Sequence, residues 1–375
     1  MTLKTDIIDF VRDELHIPLI GIVPANDFPL EDVERITPVV ELFSRSTPLA
    51  AGAEGVLHPR DFLDGAKSVI VAGSPGYFGK MPSIDACREQ LQGRAEPSHV
   101  NIGYLLDSQE KGNRLTEFLA ERGFSCCSVV GIQFPLKIAA SKCGIGFYGK
   151  NALIQHPEYG SWISLSAYVT DADLESDAPL EGDCGSCERC IEACPTGALY
   201  EPYRCDPSRC LDFNLGHNKN IIPFFIRDKS GNLMGEGCTA CRDACPVNQK
   251  LKKLENFSVP DELVHPSLLD VFDMTDEQWE QGFAMTLMGF FLLDKKYLQR
   301  NAAIGLGNFK DRRAVNVLLR VVDQGDDEVR GYAAWALGKI GGSSSVQKLK
   351  ESLERELNET VKSEIKAALE NVEQE

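Results

Sequence analysis

The chain has 375 residues, 43% of them apolar and 25% charged, a composition that fits a soluble globular protein of two or three domains and exceeds a lone cluster-binding domain. Its 56 acidic residues outnumber 39 basic ones and leave a net charge of −17, which argues against bulk affinity for nucleic acid and leaves room only for a local basic edge. No stretch of about 18 uncharged apolar residues is present to span a membrane. The opening residues include Lys4, Asp6 and Asp9 where a signal peptide needs an apolar run, so the expected location is cytoplasmic, with no membrane partner.

Residues 1–175 read as a mixed α/β domain. Ala66 to Gly73 is a β-branched apolar run ending in glycine, as a buried strand is. Leu115, Phe118 and Leu119 mark an amphipathic helix closed by Gly123, and Ser125 to Val130 reads as a further strand. Adjacent Cys126 and Cys127 then face opposite sides, so packing is expected of them rather than a shared metal or a vicinal disulfide. Cys143 precedes the glycine-bearing run Cys143-Gly-Ile-Gly-Phe-Tyr-Gly-Lys-Asn151; on its residues alone this is a tight turn ahead of Ala152-Leu-Ile154. Trp162 to Thr170 alternates large apolar with small polar residues and is another expected strand.

Residues 176–255 form the cluster segment. Nine of the 13 cysteines lie between Cys184 and Cys245, and in a reducing cytosol such crowding points to metal rather than disulfides. Cys184, Cys187 and Cys190 stand at two-residue gaps and are followed by Cys194-Pro195. Cys238, Cys241 and Cys245-Pro246 repeat the pattern, with Cys210 and Cys205 upstream. This is the bacterial-ferredoxin arrangement for two [4Fe-4S] clusters, in which the fourth cysteine of a run binds the other cluster. Cluster one therefore takes Cys184, Cys187, Cys190 and Cys245; cluster two takes Cys194, Cys238, Cys241 and either Cys210 or Cys205. Zinc sites seldom use three cysteines at such gaps followed by Cys-Pro.

Residues 256–375 read as a helical domain. Thr275-Asp-Glu-Gln278 fits a capping box leading into a helix with Trp279 and Phe283 on one face. The apolar run Thr286 to Leu293 is expected to be a buried inner helix of the array that follows. Ala302-Ala-Ile-Gly-Leu-Gly-Asn308 and Ala333-Ala-Trp-Ala-Leu-Gly-Lys339 repeat at an offset of 31, with a degenerate third copy from Val361 to Val372; this is a HEAT-like pattern. Lys295, Lys296, Arg300, Lys310, Arg312 and Arg313 are expected as solvated helix charges or, together, a basic edge.

Three stretches together carry a family resemblance: Cys143 to Asn151, the paired cluster motifs, and Leu298-Gln-Arg-Asn-Ala-Ala-Ile-Gly-Leu-Gly-Asn-Phe-Lys-Asp311. In these the chain resembles the epoxyqueuosine reductases, cobalamin-dependent enzymes that complete queuosine in tRNA. The resemblance implies a cobalamin in the α/β domain with a cluster beside it, and electrons passing through the clusters to the corrin. Gly144, Gly146, Lys150 and Asn151 match the family's corrin-side segment, and Cys210, which follows Arg209, matches its lone ligand cysteine. No two of the six histidines stand at ligand spacing, in keeping with cobalamin bound base-off and without a protein axial ligand. The family's proton-donating aspartate has no counterpart in Val130-Gly-Ile-Gln-Phe-Pro135, leaving Tyr104, Asp107 and Asp171 as candidate donors. The apolar Thr286–Leu293 run, where the family is usually basic, weighs against tRNA and leaves a small-molecule substrate open. A low-potential donor such as ferredoxin or flavodoxin would supply electrons. From a different class, the chain is a non-catalytic two-cluster carrier, or a reductive activator, docking a partner protein through its helical repeat.

Overall fold

A computed structural model describes residues 2–29, 58–129, 134–256 and 258–374. The chain forms two compact units, neither continuous in sequence: Met1–Gly79 with Gly103–Cys210 and Thr239–Phe257, and Lys80–Ile102 with Leu211–Cys238 and Ser258–Glu375. Residues 80–102 and 211–238 thus belong to the same unit as the helical tail.

The first unit is built on four strands, β1 (Leu19–Pro24), β2 (Ser68–Pro75), β3 (Cys126–Val129) and, after a two-stranded hairpin of β4 (Phe147–Tyr148) and β5 (Ile154–Gln155), β6 (Ile163–Thr170). The sheet order is β1-β2-β6-β3, every neighbour antiparallel. Period-two alternation sends successive side chains to opposite cores. Val69, Val71, Ala167 and Val169 join Ile138, Ala139 and Ala140 of α3 (Leu136–Lys142) on one face. Ile70, Ala72 and Tyr168 join α1 (Leu3–Asp9) and α2 (Ile102–Ala120) through Ile7, Leu115 and Leu119 on the other. Cys126 and Cys127 are half-buried and divide between these two cores as alternation requires. Gly21 is obligatory in β1: a Cβ there would lie 2.2 Å from the Cys143 carbonyl oxygen. Burial in that contact pushes the Cys143 thiol up to about 12, so it stays a packed, protonated group.

The second unit ends in five helices, α4 (Lys295–Phe309), α5 (Val315–Gln324), α6 (Asp327–Ile340), α7 (Ser343–Arg355) and α8 (Glu359–Gln374). The expected box forms at Thr275 and Gln278, with Trp279 and Phe283 stacked behind it. The repeat has a physical basis in two glycines 31 residues apart. A Cβ on Gly307 would come within 2.5 Å of the Trp335 ring, and one on Gly338 within 2.9 Å of the Ala368 backbone, so α4, α6 and α8 approach at glycine contacts. Gly307→Ala is expected to cost about 1–3 kcal/mol by overpacking, read as a lowered urea midpoint at unchanged slope.

Two expectations for this unit need correction. The Thr286–Leu293 run is not a buried inner helix of the array. It forms a six-residue helix, Leu287–Leu292, ended by Leu293 at φ 70°; only one face is covered, and Met285, Phe290 and Leu293 remain exposed. Arg300 is no solvated charge or edge residue. It is fully buried and donates to the carbonyls of Asn218 (2.7 Å) and Leu215 (3.1 Å).

Candidate redox site

The two cysteine motifs fold alike because they share a sequence pattern. Short helices Arg189–Glu192 and Ala240–Asp243 pack against each other, each followed by a turn and then the cysteine that precedes proline. Cys194 N–H donates to Ile191 O at 3.2 Å, and Cys245 N–H to Arg242 O at 3.1 Å, in the equivalent place. Pro195 and Pro246 carry no N–H, so neither helix continues. The Cys190 thiol is pushed up first by burial and then by Cys184 and Cys245, so three of the four thiols assigned to cluster one act on each other.

The β4–β5 hairpin lies against these thiols. Its register pairs Phe147 with Gln155 and Tyr148 with Ile154. Glycine is needed at its base, since a Cβ on Gly146 would sit 2.5 Å from Gln155 O; Gly144 takes φ +81°. The loop thereby brings the Lys150 main-chain N–H to Cys184 Sγ at 3.5 Å, while Cys245 Sγ faces Gln155 Oε1 at 4.0 Å. Lys150 is 8% exposed, and its Nζ stands 3.5 Å from Glu188, between Cys187 and Cys190. Asn151 accepts from Leu153 N–H and from Gln155 Nε2, and its own Nδ2 is buried with no partner among the described residues.

Elsewhere in the first unit, Arg209 donates twice to Thr196 O, at 2.9 and 2.7 Å, fastening the turn that carries Cys210 to the turn after Cys194. In the second unit, Asp212 Oδ1 accepts from the Gly237 and Cys238 N–H groups at 2.8 and 3.2 Å and holds Cys238 by its backbone.

A profile described as a 4Fe-4S double cluster binding domain matches residues 183–248, and one for HEAT repeats matches 292–370. The epoxyqueuosine reductase of Bacillus anthracis is 32% identical over 98% of this chain and 97% of its own length. This chain belongs to the epoxyqueuosine reductase family. The Bacillus subtilis (strain 168) member is 37% identical over 62% of this chain and 60% of its own. An epoxyqueuosine reductase crystallised with a tRNA-Tyr epoxyqueuosine-modified stem loop superposes at a TM-score of 0.88, with 28% identity over 99% of both chains. A structure from Bacillus subtilis, its aspartate-bearing catalytic loop swung out of the active site, gives 0.87 at the same identity and coverage. As a member of that family, the chain is an oxidoreductase with a double-cluster domain.

The candidate proton donors fall in two places. Tyr104 and Asp107 both line a cavity of about 450 Å³ in the first unit, with His16, Lys111, Ser164 and Ser166. The Tyr104 hydroxyl donates to Pro75 O at 3.0 Å, and Asp107 pairs with Lys111 at 2.7 Å. Asp171 lies beyond the far end of β6, where its carboxylate accepts from Ser125 N–H at 2.8 Å. It follows Tyr168, another lining residue of the cavity, by three residues but is not itself among the described lining residues. Among the described residues that line the cavity, none is Gly144, Gly146, Lys150 or Asn151. Of the Val130 to Pro135 stretch, residues 130–133 lie outside the described residues, and Phe134 is buried. Also among the described residues, no helix is long and apolar enough to cross a membrane.

Proposed function

We propose that this chain reduces epoxyqueuosine to queuosine in tRNA, with two [4Fe-4S] clusters feeding a cobalamin held beside the Gly144–Asn151 loop. The observation that carries the reading is the hairpin itself. One loop bears the residues matched to the family's corrin side and touches two cluster-one cysteines, Cys184 and Cys245, from its own backbone and from Gln155. The unpartnered Asn151 Nδ2 fits the amide-rich rim of a corrin, whose carbonyls it would satisfy. Gly144 and Gly146 keep the loop backbone free of side chains, and eight thiolates at Cys184, Cys187, Cys190, Cys245, Cys194, Cys210, Cys238 and Cys241 suit two cubanes. Cys210 rather than Cys205 is the eighth ligand, supported by the Arg209 grip on the Cys194 turn. When bound, cobalamin supplies a cobalt centre that takes electrons singly and delivers them to a carbon–oxygen bond.

A net two-electron reduction also needs protons. Tyr104, Asp107 and Asp171 are the candidate donors, each holding a partner in this structure: Pro75 O, Lys111 and Ser125 N–H respectively. Electrons enter from a low-potential protein donor such as a ferredoxin or flavodoxin.

Anaerobic reconstitution with iron, sulfide and hydroxocobalamin tests the reading. One corrin per chain retained through gel filtration, with turnover on epoxyqueuosine-containing tRNA, is expected. Intact clusters without retained corrin would point instead to a non-catalytic carrier. Retained corrin without tRNA turnover would point to a small-molecule substrate.

A further inference from the structure

We infer that Lys150 and Glu188 form an opposed pair that sets the reduction potential of cluster one, Lys150 raising it and Glu188 restraining it. The inference deepens the proposed function and rests on its assignment of Cys184, Cys187, Cys190 and Cys245 as ligands.

Lys150 meets the cluster segment twice. Its main-chain N–H points at Cys184 Sγ at 3.5 Å, and its side chain, 9% exposed, reaches Glu188 at 3.5 Å. Glu188 sits between Cys187 and Cys190, so the largely buried ammonium lies beside the segment that joins two cluster-one ligands. The loop cannot easily swing away. Lys150 O accepts from Tyr203 N–H at 3.1 Å, and a Cβ on the preceding Gly149 would meet Gln155 Cγ at 2.6 Å.

Adding one electron to a [4Fe-4S] cluster adds one negative charge to the cubane and its thiolates. Hydrogen bonds to the sulfurs, and net charge near the cluster, are among the factors that set its potential. A cation in a poorly solvated site stabilises the reduced state far more than one in water would. The Glu188 carboxylate acts in the opposite sense, but its side chain is 52% exposed, so solvent screens it and the cation dominates. Placed on the hairpin proposed to hold the corrin, this bias would make cluster one the electron-holding partner of the corrin.

The test is potentiometric EPR on reconstituted, corrin-free protein, with dithionite as the one-electron reductant. Lys150→Gln should lower the midpoint of one cluster, shifting its reduced-to-oxidised ratio at fixed potential about tenfold, or about 59 mV for a one-electron couple. Glu188→Gln should raise the same midpoint by a smaller amount, and the second cluster should not move. A merely structural role predicts shifts of one sign or none. Either result, in protein holding about eight irons, overturns the inference. Wild-type protein that never takes up two clusters would instead overturn the ligand assignment. Should Lys150→Gln fail to hold its cluster, the direction of the Glu188→Gln shift decides, since that side chain is half in solvent.

Discussion

Exchange of Cys190 for alanine is expected to cost the protein one cluster, about half of some eight irons, and with it all measurable reduction of substrate. Three observations make this the largest effect on activity. Cys190 stands at the centre of a motif whose two-residue gaps leave no spare ligand nearby. Its thiol is held up by Cys184 and Cys245 as well as by burial, so it lies among the other ligands rather than at their margin. The hairpin that touches Cys184 and Cys245 also carries the proposed corrin loop, which makes cluster one the last station before the chemistry. Iron and sulfide analysis with EPR on the variant reads the outcome, and full iron content in Cys190→Ala would sink the ligand assignment. The paired substitutions Cys210→Ala and Cys205→Ala separate the rivals for the eighth ligand. The first should remove the other cluster, and the second should leave about eight irons in place.

What could be read from the sequence was what is local in it. The Thr275 capping box and the small-residue repeat are encoded by neighbouring residues and appear where those residues place them, and the strand expected at Ala66–Gly73 runs Ser68–Pro75. Of the strand expected at Ser125–Val130, Cys126–Val129 is a strand and Val130 lies outside the described residues. The hairpin was harder. Strands of two residues have no period to detect, and the contact between Lys150 and Cys184 joins positions 34 apart through main-chain N–H, which carries no residue signature. The same is true of the buried His217–Glu236 pair at 2.6 Å, invisible when histidines are judged by spacing to other histidines. A helix charge is usually solvated, and Arg300 is an exception. Only the tertiary fold supplies the Asn218 and Leu215 carbonyls that let a guanidinium be fully enclosed. The Thr286–Leu293 run departs from expectation for the converse reason. Its apolar content was right for burial, but the left-handed turn at Leu293 stops the helix before a second face can be covered.

Glu364→Ala should be the most damaging single substitution in the helical unit, destabilising it by about 3–5 kcal/mol. Glu364 on α8 receives both terminal nitrogens of Arg227 at 2.7 Å each, a fork-to-fork pair with Arg227 only 1% exposed. The guanidinium is enclosed further, with Nε donating to Ile222 O at 2.7 Å and the Tyr332 ring 4.3 Å from its carbon. None of these other contacts carries a full negative charge, so removing the carboxylate leaves a buried cation with partial compensation only. Exposed pairs offer a contrast. Arg320 with Asp273 has good geometry but side chains 44% and 59% exposed, and its loss should leave the urea midpoint nearly unchanged because solvent screens the pair. The buried pair is not thereby worth its breakage cost. Two ions taken from water are nearly cancelled by their mutual attraction, so the double variant Arg227→Met with Glu364→Leu should recover most of the stability that Glu364→Ala loses. Urea unfolding of the single and double variants checks both statements. A Glu364→Ala loss below about 1 kcal/mol would mean that the rings and the Ile222 carbonyl, not the carboxylate, keep Arg227 charged in the interior.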